Sequence, residues 1–122
     1  MRAAALLVFV WSACGDSHPA PDAPVDDAVC KANLESALDR SCTAPTDCVL
    51  VESADCCGPI MLGIRAGTES AFPALEQTYV ACLACPPLGC AHQTLAENGM
   101  APQSGQAIVA DCVASSCVSV VR

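Results

Sequence analysis

The chain has 122 residues, and its 13 acidic against 5 basic side chains give a formal net charge of −8. No basic patch is available to neutralise phosphates, which argues against nucleic acid or a polybasic membrane contact and makes the acidity a solubility feature. Apolar residues are many, but Ala, Val and Cys supply much of that content and the chain has only 1 Trp, 1 Tyr and 2 Phe, so it can bury one small, thin core rather than several domains.

The first residues read Met1-Arg-Ala-Ala-Ala-Leu-Leu-Val-Phe-Val-Trp-Ser-Ala-Cys14. Arg2 supplies a positive charge, Ala3 to Trp11 is uninterrupted and apolar, and Ser12 and Ala13 are the small residues that a signal peptidase admits. The apolar run is well short of the roughly 20 residues that span a bilayer. Trp11-Ser12-Ala13-Cys14 resembles the lipobox of bacterial lipoproteins, with Trp11 where that family has Leu, Val or Ile. The resemblance implies that residues 1–13 are a signal peptide, and that Cys14 is acylated, becomes the mature N-terminus and holds the protein to a membrane. The alternative is an ordinary secretory signal cut nearby, giving a soluble secreted or periplasmic protein. The cysteine count bears on the choice: the chain has 11, and setting Cys14 apart leaves an even ten that can pair completely.

Residues 14–28 follow as a tether. Three prolines and four aspartates between Gly15 and Ala28 leave no apolar face to bury, so the stretch is expected to be extended and solvated. Its Pro/Asp/Ala style resembles that of small cysteine-rich lipoproteins of myxobacteria. Gly15 stands where the lipoprotein family has an Asp for inner-membrane retention, so the resemblance implies the outer membrane or cell surface.

Residues 29–122 are expected to form one disulfide-rich α+β domain with two helices and a short antiparallel sheet, ending in a C-terminal hairpin. Asp26 or Asp27 can cap a helix that places Cys30, Leu34, Ala37 and Leu38 on one face and ends near Arg40. Cys48 to Val51 reads as a strand, with Ile60 to Ile64 as its antiparallel partner across a Ser53–Pro59 loop and Gly63 marking a bulge or a close backbone approach. Thr68 or Ser70 can cap a second helix carrying Phe72, Leu75, Tyr79 and Leu83, with Pro73 near its start and Cys85-Pro-Pro87 ending it. Gln93 to Ala96 reads as a brief strand and Asn98-Gly99 as a turn. Ile108–Val113 and Ser116–Val121 flank Ala114-Ser115 as a hairpin in which Cys112 and Cys117 face each other, either bonded together or both stapling the hairpin to a helix. Ala-Ser is a poor type I′ pair, so a loop one residue longer is the alternative.

The ten remaining cysteines are Cys30, Cys42, Cys48, Cys56, Cys57, Cys82, Cys85, Cys90, Cys112 and Cys117. Five bridges are expected in an oxidising compartment, with their connectivity open. Cys82-Leu-Ala-Cys85 is a CxxC, but it falls at a helix end, where the dipole disfavours a thiolate, and outside a βαβ context. Cys82, Cys85, Cys90 and His92 have the donor chemistry of a Cys3His zinc site. That use takes three cysteines and leaves an odd number, so structural pairing is preferred and no cofactor or metal is assigned. The vicinal Cys56 and Cys57 are expected to bond elsewhere rather than to each other. Cys42-Thr-Ala-Pro-Thr-Asp47-Cys48 followed by Cys56-Cys57 resembles the core of whey-acidic-protein type inhibitors, with Asp55 in place of the usual Lys. The resemblance implies an exposed inhibitory loop near Asp55–Pro59. No Gly-x-Ser-x-Gly elbow or phosphate-cradling loop is present, and His92 is the domain's sole histidine. The leading expectation is therefore a non-catalytic binding or structural module of the cell envelope, with a protease inhibitor as the alternative and a thiol redox or zinc protein third.

Overall fold

The computed structural model of the protein describes residues 26–122 apart from Pro86 and Leu88. The leader, Cys14 and the tether up to Val25 lie outside the described residues. The architecture is α+β, as the sequence predicts.

Helix α1 spans Asp27–Ala37, beginning two residues inside the stretch read as tether. Asp26 is its N-cap and accepts from the Ala28 amide at 3.0 Å, an interaction typically worth about 1 kcal/mol. Cys30 and Leu34 are buried, whereas Ala37 is exposed, so the apolar face is narrower than expected. The helix stops at Ala37 rather than near Arg40 because the next carbonyls serve the sheets: Asp39 O accepts from Arg65 N at 2.8 Å and Arg40 O from Cys117 N at 2.6 Å.

Strand β1 (Cys48–Ser53), two residues longer than expected, pairs antiparallel with β2 (Ile60–Arg65). The two-residue β3 (Leu95–Ala96) joins β2 in parallel. Helix α2 (Phe72–Cys82) lies between them in sequence. Neither Thr68 nor Ser70 caps it. The chain enters through a 3₁₀ turn, Glu69–Ala71, and the Thr68 hydroxyl instead donates to Arg65 O at 2.7 Å. Pro73 sits in the first turn, where its missing N–H leaves no bond unmade. The helix ends at Cys82, three residues before Cys85, with the Leu83 amide shared between Tyr79 O and Val80 O. Strands β4 (Ile108–Val113) and β5 (Ser116–Val121) form a separate two-stranded sheet. Their loop is the two residues Ala114-Ser115, and the longer alternative is not adopted. Ala114 (φ 49°) and Ser115 (φ 62°) both adopt the left-handed conformation that a type I′ turn requires.

The period of two along the strands sets the layers. Val49, Val51 and Ser53 of β1 pair with Ile64, Leu62 and Ile60 of β2 on one face. The main core lies there, where Cys30, Leu34, Phe72 and Tyr79 of the helices meet Leu62, Val51 and Ile60. Cys48 and Gly63 point the other way, toward the hairpin. A second small core of Cys42, Cys48 and Cys117 forms on that side, with Ala110 and Cys112 packed against it.

The ten cysteines form five disulfides, with Cα–Cα distances between 5.1 and 5.9 Å. Cys30–Cys82 joins the two helices. Cys42–Cys112 and Cys48–Cys117 join the hairpin to the chain around the start of β1. Cys112 and Cys117 thus neither bond to each other nor reach a helix. Cys56–Cys85 and Cys57–Cys90 join the β1–β2 loop to the segment after α2. The sequence separations run from 29 to 70 residues. Bridges closing loops of that size are worth about 3–5 kcal/mol each on chain-entropy grounds, which is large beside a core with two aromatic rings.

Candidate functional site

Two loops are locked together at one end of the sheet. The first is residues 54–59 between β1 and β2, and the second is residues 83–94 between α2 and β3. The vicinal cysteines send two bonds in different directions, from Cys56 to Cys85 and from Cys57 to Cys90. Gly58 (φ +126°) lies where a Cβ would come within 2.9 Å of Gln93 O, so the loop backbones touch where only glycine fits. Leu95 N donates to Pro59 O at 3.0 Å, and from there the parallel pairing of β3 with β2 begins.

Each loop is also tied to a helix. Ala54 N donates to Glu76 Oε1 on α2 at 2.7 Å, and Ala84 N donates to Asp27 Oδ1 on α1 at 3.2 Å. Asp55, Cys85, His92 and Gln93 are exposed, whereas Cys56 to Pro59 are half-buried. The segment read as an inhibitory loop is therefore exposed mainly at its start. Beneath it, burial and then the charges of Asp55, Asp27 and Glu35 raise the Tyr79 phenol above its usual 10.0. A cleft of about 170 Å³ between the helices is lined by Leu34, Ala37, Leu75 and Tyr79 and closed by the Cys30–Cys82 bond. That is smaller than the roughly 300–1,000 Å³ of typical cofactor and drug-sized sites.

The residues singled out for chemistry are separated. Cys82 and Cys85 of the CxxC bond to Cys30 and Cys56, and Cys90 bonds to Cys57. The donors of the Cys3His arrangement thus belong to three different disulfides, and His92 lies exposed on the second loop.

Sequence reasoning missed Glu97. It follows β3, and its side chain is 16% exposed. Its carboxylate accepts from Gly63 N of β2 at 3.2 Å and from Ser119 N of β5 at 2.7 Å, and it pairs with Arg40. The Glu97 amide donates to Ser119 Oγ at 2.8 Å, and that hydroxyl donates to Met61 O at 2.6 Å. Arg40 Nε in turn donates to Cys117 O at 3.0 Å. One carboxylate thus joins both sheets and the α1–β1 connection. Nothing in the local sequence marks it, because the Asn98-Gly99 turn signal makes Glu97 look like an ordinary solvated turn residue.

No protein-family model matches the chain, and no curated protein or solved structure shows similarity to it.

Proposed function

We propose that the chain is an exported, lipid-anchored, non-catalytic module of the cell envelope that presents its doubly bridged loop pair to a protein or envelope partner. The observation that carries this reading is the pinning of loops 54–59 and 83–94, which expose Asp55, Cys85, His92 and Gln93, by two neighbouring disulfides and a direct backbone contact. Rigid loops lose little entropy on binding, which suits them to recognition. Five disulfides fit an oxidising compartment. Among the described residues no helix is long and apolar enough to cross a membrane, and the lipid on Cys14 is supported by the lipobox-like Trp11-Ser12-Ala13-Cys14. All ten cysteines of the described residues are bonded, which leaves none of them free as a redox nucleophile.

Fractionation of a bacterial host expressing the full chain tests the anchor. The wild type is expected with outer membranes, and Cys14→Ala is expected to be released or to remain unprocessed. Equal fractionation and migration of the two excludes lipidation at Cys14.

The exposed Asp55 beside Cys56–Cys85 favours protease inhibition as a second reading. A panel of serine proteases decides between the two. Stoichiometric inhibition that is lost on substitution within residues 54–59 establishes the inhibitor, and its absence leaves the binding module.

A further inference from the structure

Ser53 ends β1 on the face that meets the helices. It is 2% exposed, and its Oγ is buried without a hydrogen-bond partner among the described residues. Ser119, equally buried, accepts from Glu97 N and donates to Met61 O, so the orphaned hydroxyl is peculiar to the surroundings of Ser53. Leaving such a group unpaired costs about 1–3 kcal/mol. Ser53 lines a cavity of about 10 Å³ together with Lys31 and Glu35 of α1, Tyr79 of α2 and Ala54 at the start of loop 54–59. That is room for roughly one water-sized group. Lys31 and Ala54 are exposed and Glu35 is half-buried, so the mouth lies at the surface where α1 meets the loop.

The rim of this cavity is acidic. Glu76 and Asp27 accept from Ala54 N and Ala84 N at the starts of the two loops, and Asp55 is exposed on the first loop. The charges of Asp55, Asp27 and Glu35 all act on the Tyr79 phenol, which sets them around one spot. Lys31 is the single cation lining the cavity. Ion pairs among the described residues involve Arg40 and Arg122, so Lys31 does not neutralise Glu35.

We infer that this cavity seats the ammonium of a lysine side chain presented by the partner of the loop pair. A water molecule would satisfy Ser53 but leave the excess of carboxylates unanswered, whereas a primary ammonium answers both. It carries three N–H donors and no acceptor. Glu35, Ser53 and Tyr79 offer it a carboxylate and two hydroxyl oxygens from the walls of one cavity, and hydrogen bonds from a charged donor are the strong ones. An ammonium is a compact point charge, while the guanidinium of arginine is a broad planar fork that exceeds a single-group cavity. A metal ion does not suit the rim, because the carboxylates are not gathered: the trio of potential ligand atoms brought close among the described residues is the bonded sulfurs of Cys42, Cys48 and Cys117. The inference rests on the reading of the chain as a binding module and gives that module's partner a basic, lysine-bearing surface.

The test uses the full chain in detergent micelles at physiological salt. The probes are short, end-blocked, fluorophore-labelled peptides alternating glycine with lysine, arginine or acetyl-lysine, and binding is read by anisotropy. The lysine peptide is expected to bind, and the arginine and acetyl-lysine peptides to bind about ten-fold more weakly or worse. Ser53→Ala and Glu35→Gln are each expected to weaken the lysine peptide by about ten-fold, and Lys31→Ala, which removes the competing cation, to strengthen it. Ser53→Ala deletes an atom that bonds to nothing, so the fold is kept, and an unchanged urea midpoint confirms it. Glu52→Gln removes the same charge as Glu35→Gln from the other face of β1, where Glu52 is exposed, and is expected to bind like wild type. A lysine peptide that does not bind, that binds no better than the arginine peptide, or that binds Ser53→Ala as well as wild type overturns the seat. Each of these results leaves the anchored module standing, because that reading is decided by the fractionation of Cys14→Ala.

Discussion

Gly63 of β2 lies against Val118 of β5 so closely that a Cβ on Gly63 would sit 2.6 Å from the Val118 nitrogen and carbonyl carbon. The two sheets meet backbone to backbone at this point, and the Gly63 amide donates there to Glu97. Gly63→Ala must push the layers apart and is expected to cost about 1–3 kcal/mol, the usual range for overpacking. Gly89→Ala is the control, because among the described residues beyond its chain neighbours no heavy atom lies within 4 Å of its added methyl, and a change within about 0.5 kcal/mol is expected. Urea midpoints measure both. A Gly63→Ala protein as stable as wild type contradicts the sheet packing described.

Glu97 and Arg40 form a half-buried ionic link between the layers, with side chains 16% and 18% exposed. Glu97→Ala strands the Arg40 charge and leaves the Gly63 and Ser119 amides without their acceptor. A loss of about 1–3 kcal/mol is expected, the range for leaving a polar group without its partner. Replacing both residues by Met is expected to cost clearly less than the sum of the single replacements, since no uncompensated charge remains. Additive losses in the double-mutant cycle show that the two side chains are not coupled.

The hairpin turn holds two non-glycine residues in the left-handed region, Ala114 and Ser115. That conformation costs an L residue roughly 1–2 kcal/mol. Ala114→Asn with Ser115→Gly supplies the preferred type I′ pair and is expected to raise stability by about 1–2 kcal/mol. An unchanged or lower melting temperature contradicts the assigned turn.

Asp39 and Asp47 are held below the ordinary carboxylate value of 3.8. Asp39 accepts from the hydroxyl and amide of Ser41, and Asp47 accepts from the amide and hydroxyl of Thr43 and then the amide of Ala44. A depressed folded pKa contributes stability above the unfolded value, and that stability is lost as the pH falls through the folded value. The melting temperature is therefore expected to fall below pH 3.8, and Asp47→Asn is expected to flatten part of that acid limb. Parallel acid limbs for wild type and variant exclude the role of Asp47.

Local signals made much of this fold readable, and long-range choices hid the rest. Apolar runs rich in β-branched residues on both sides of Ala114-Ser115 located the hairpin strands to the residue. The two-residue turn was legible from those strand bounds although the usual Asn-Gly signal is absent, and Cys42–Cys112 and Cys48–Cys117 hold the strands in register. Asp26 capped α1 as expected because an N-cap bond is local. Thr68 did not cap α2, since a 3₁₀ turn intervenes. Cysteine partners stand 29 to 70 residues apart, so pairing depends on how layers stack, which no local pattern encodes. Glu97 was illegible for the same reason: its burial exists only once β2, β3 and β5 have met.

The most direct measurement is the intact mass of the protein isolated from membranes of cells making the full chain, taken before and after thiol alkylation without reductant. The expected species begins at Cys14, carries acyl mass, lacks ten hydrogens for its five disulfides and gains nothing on alkylation. A complete 122-residue precursor, or a mature chain that takes up alkylating reagent on the cysteines of its folded domain, contradicts an exported module held together by those bonds.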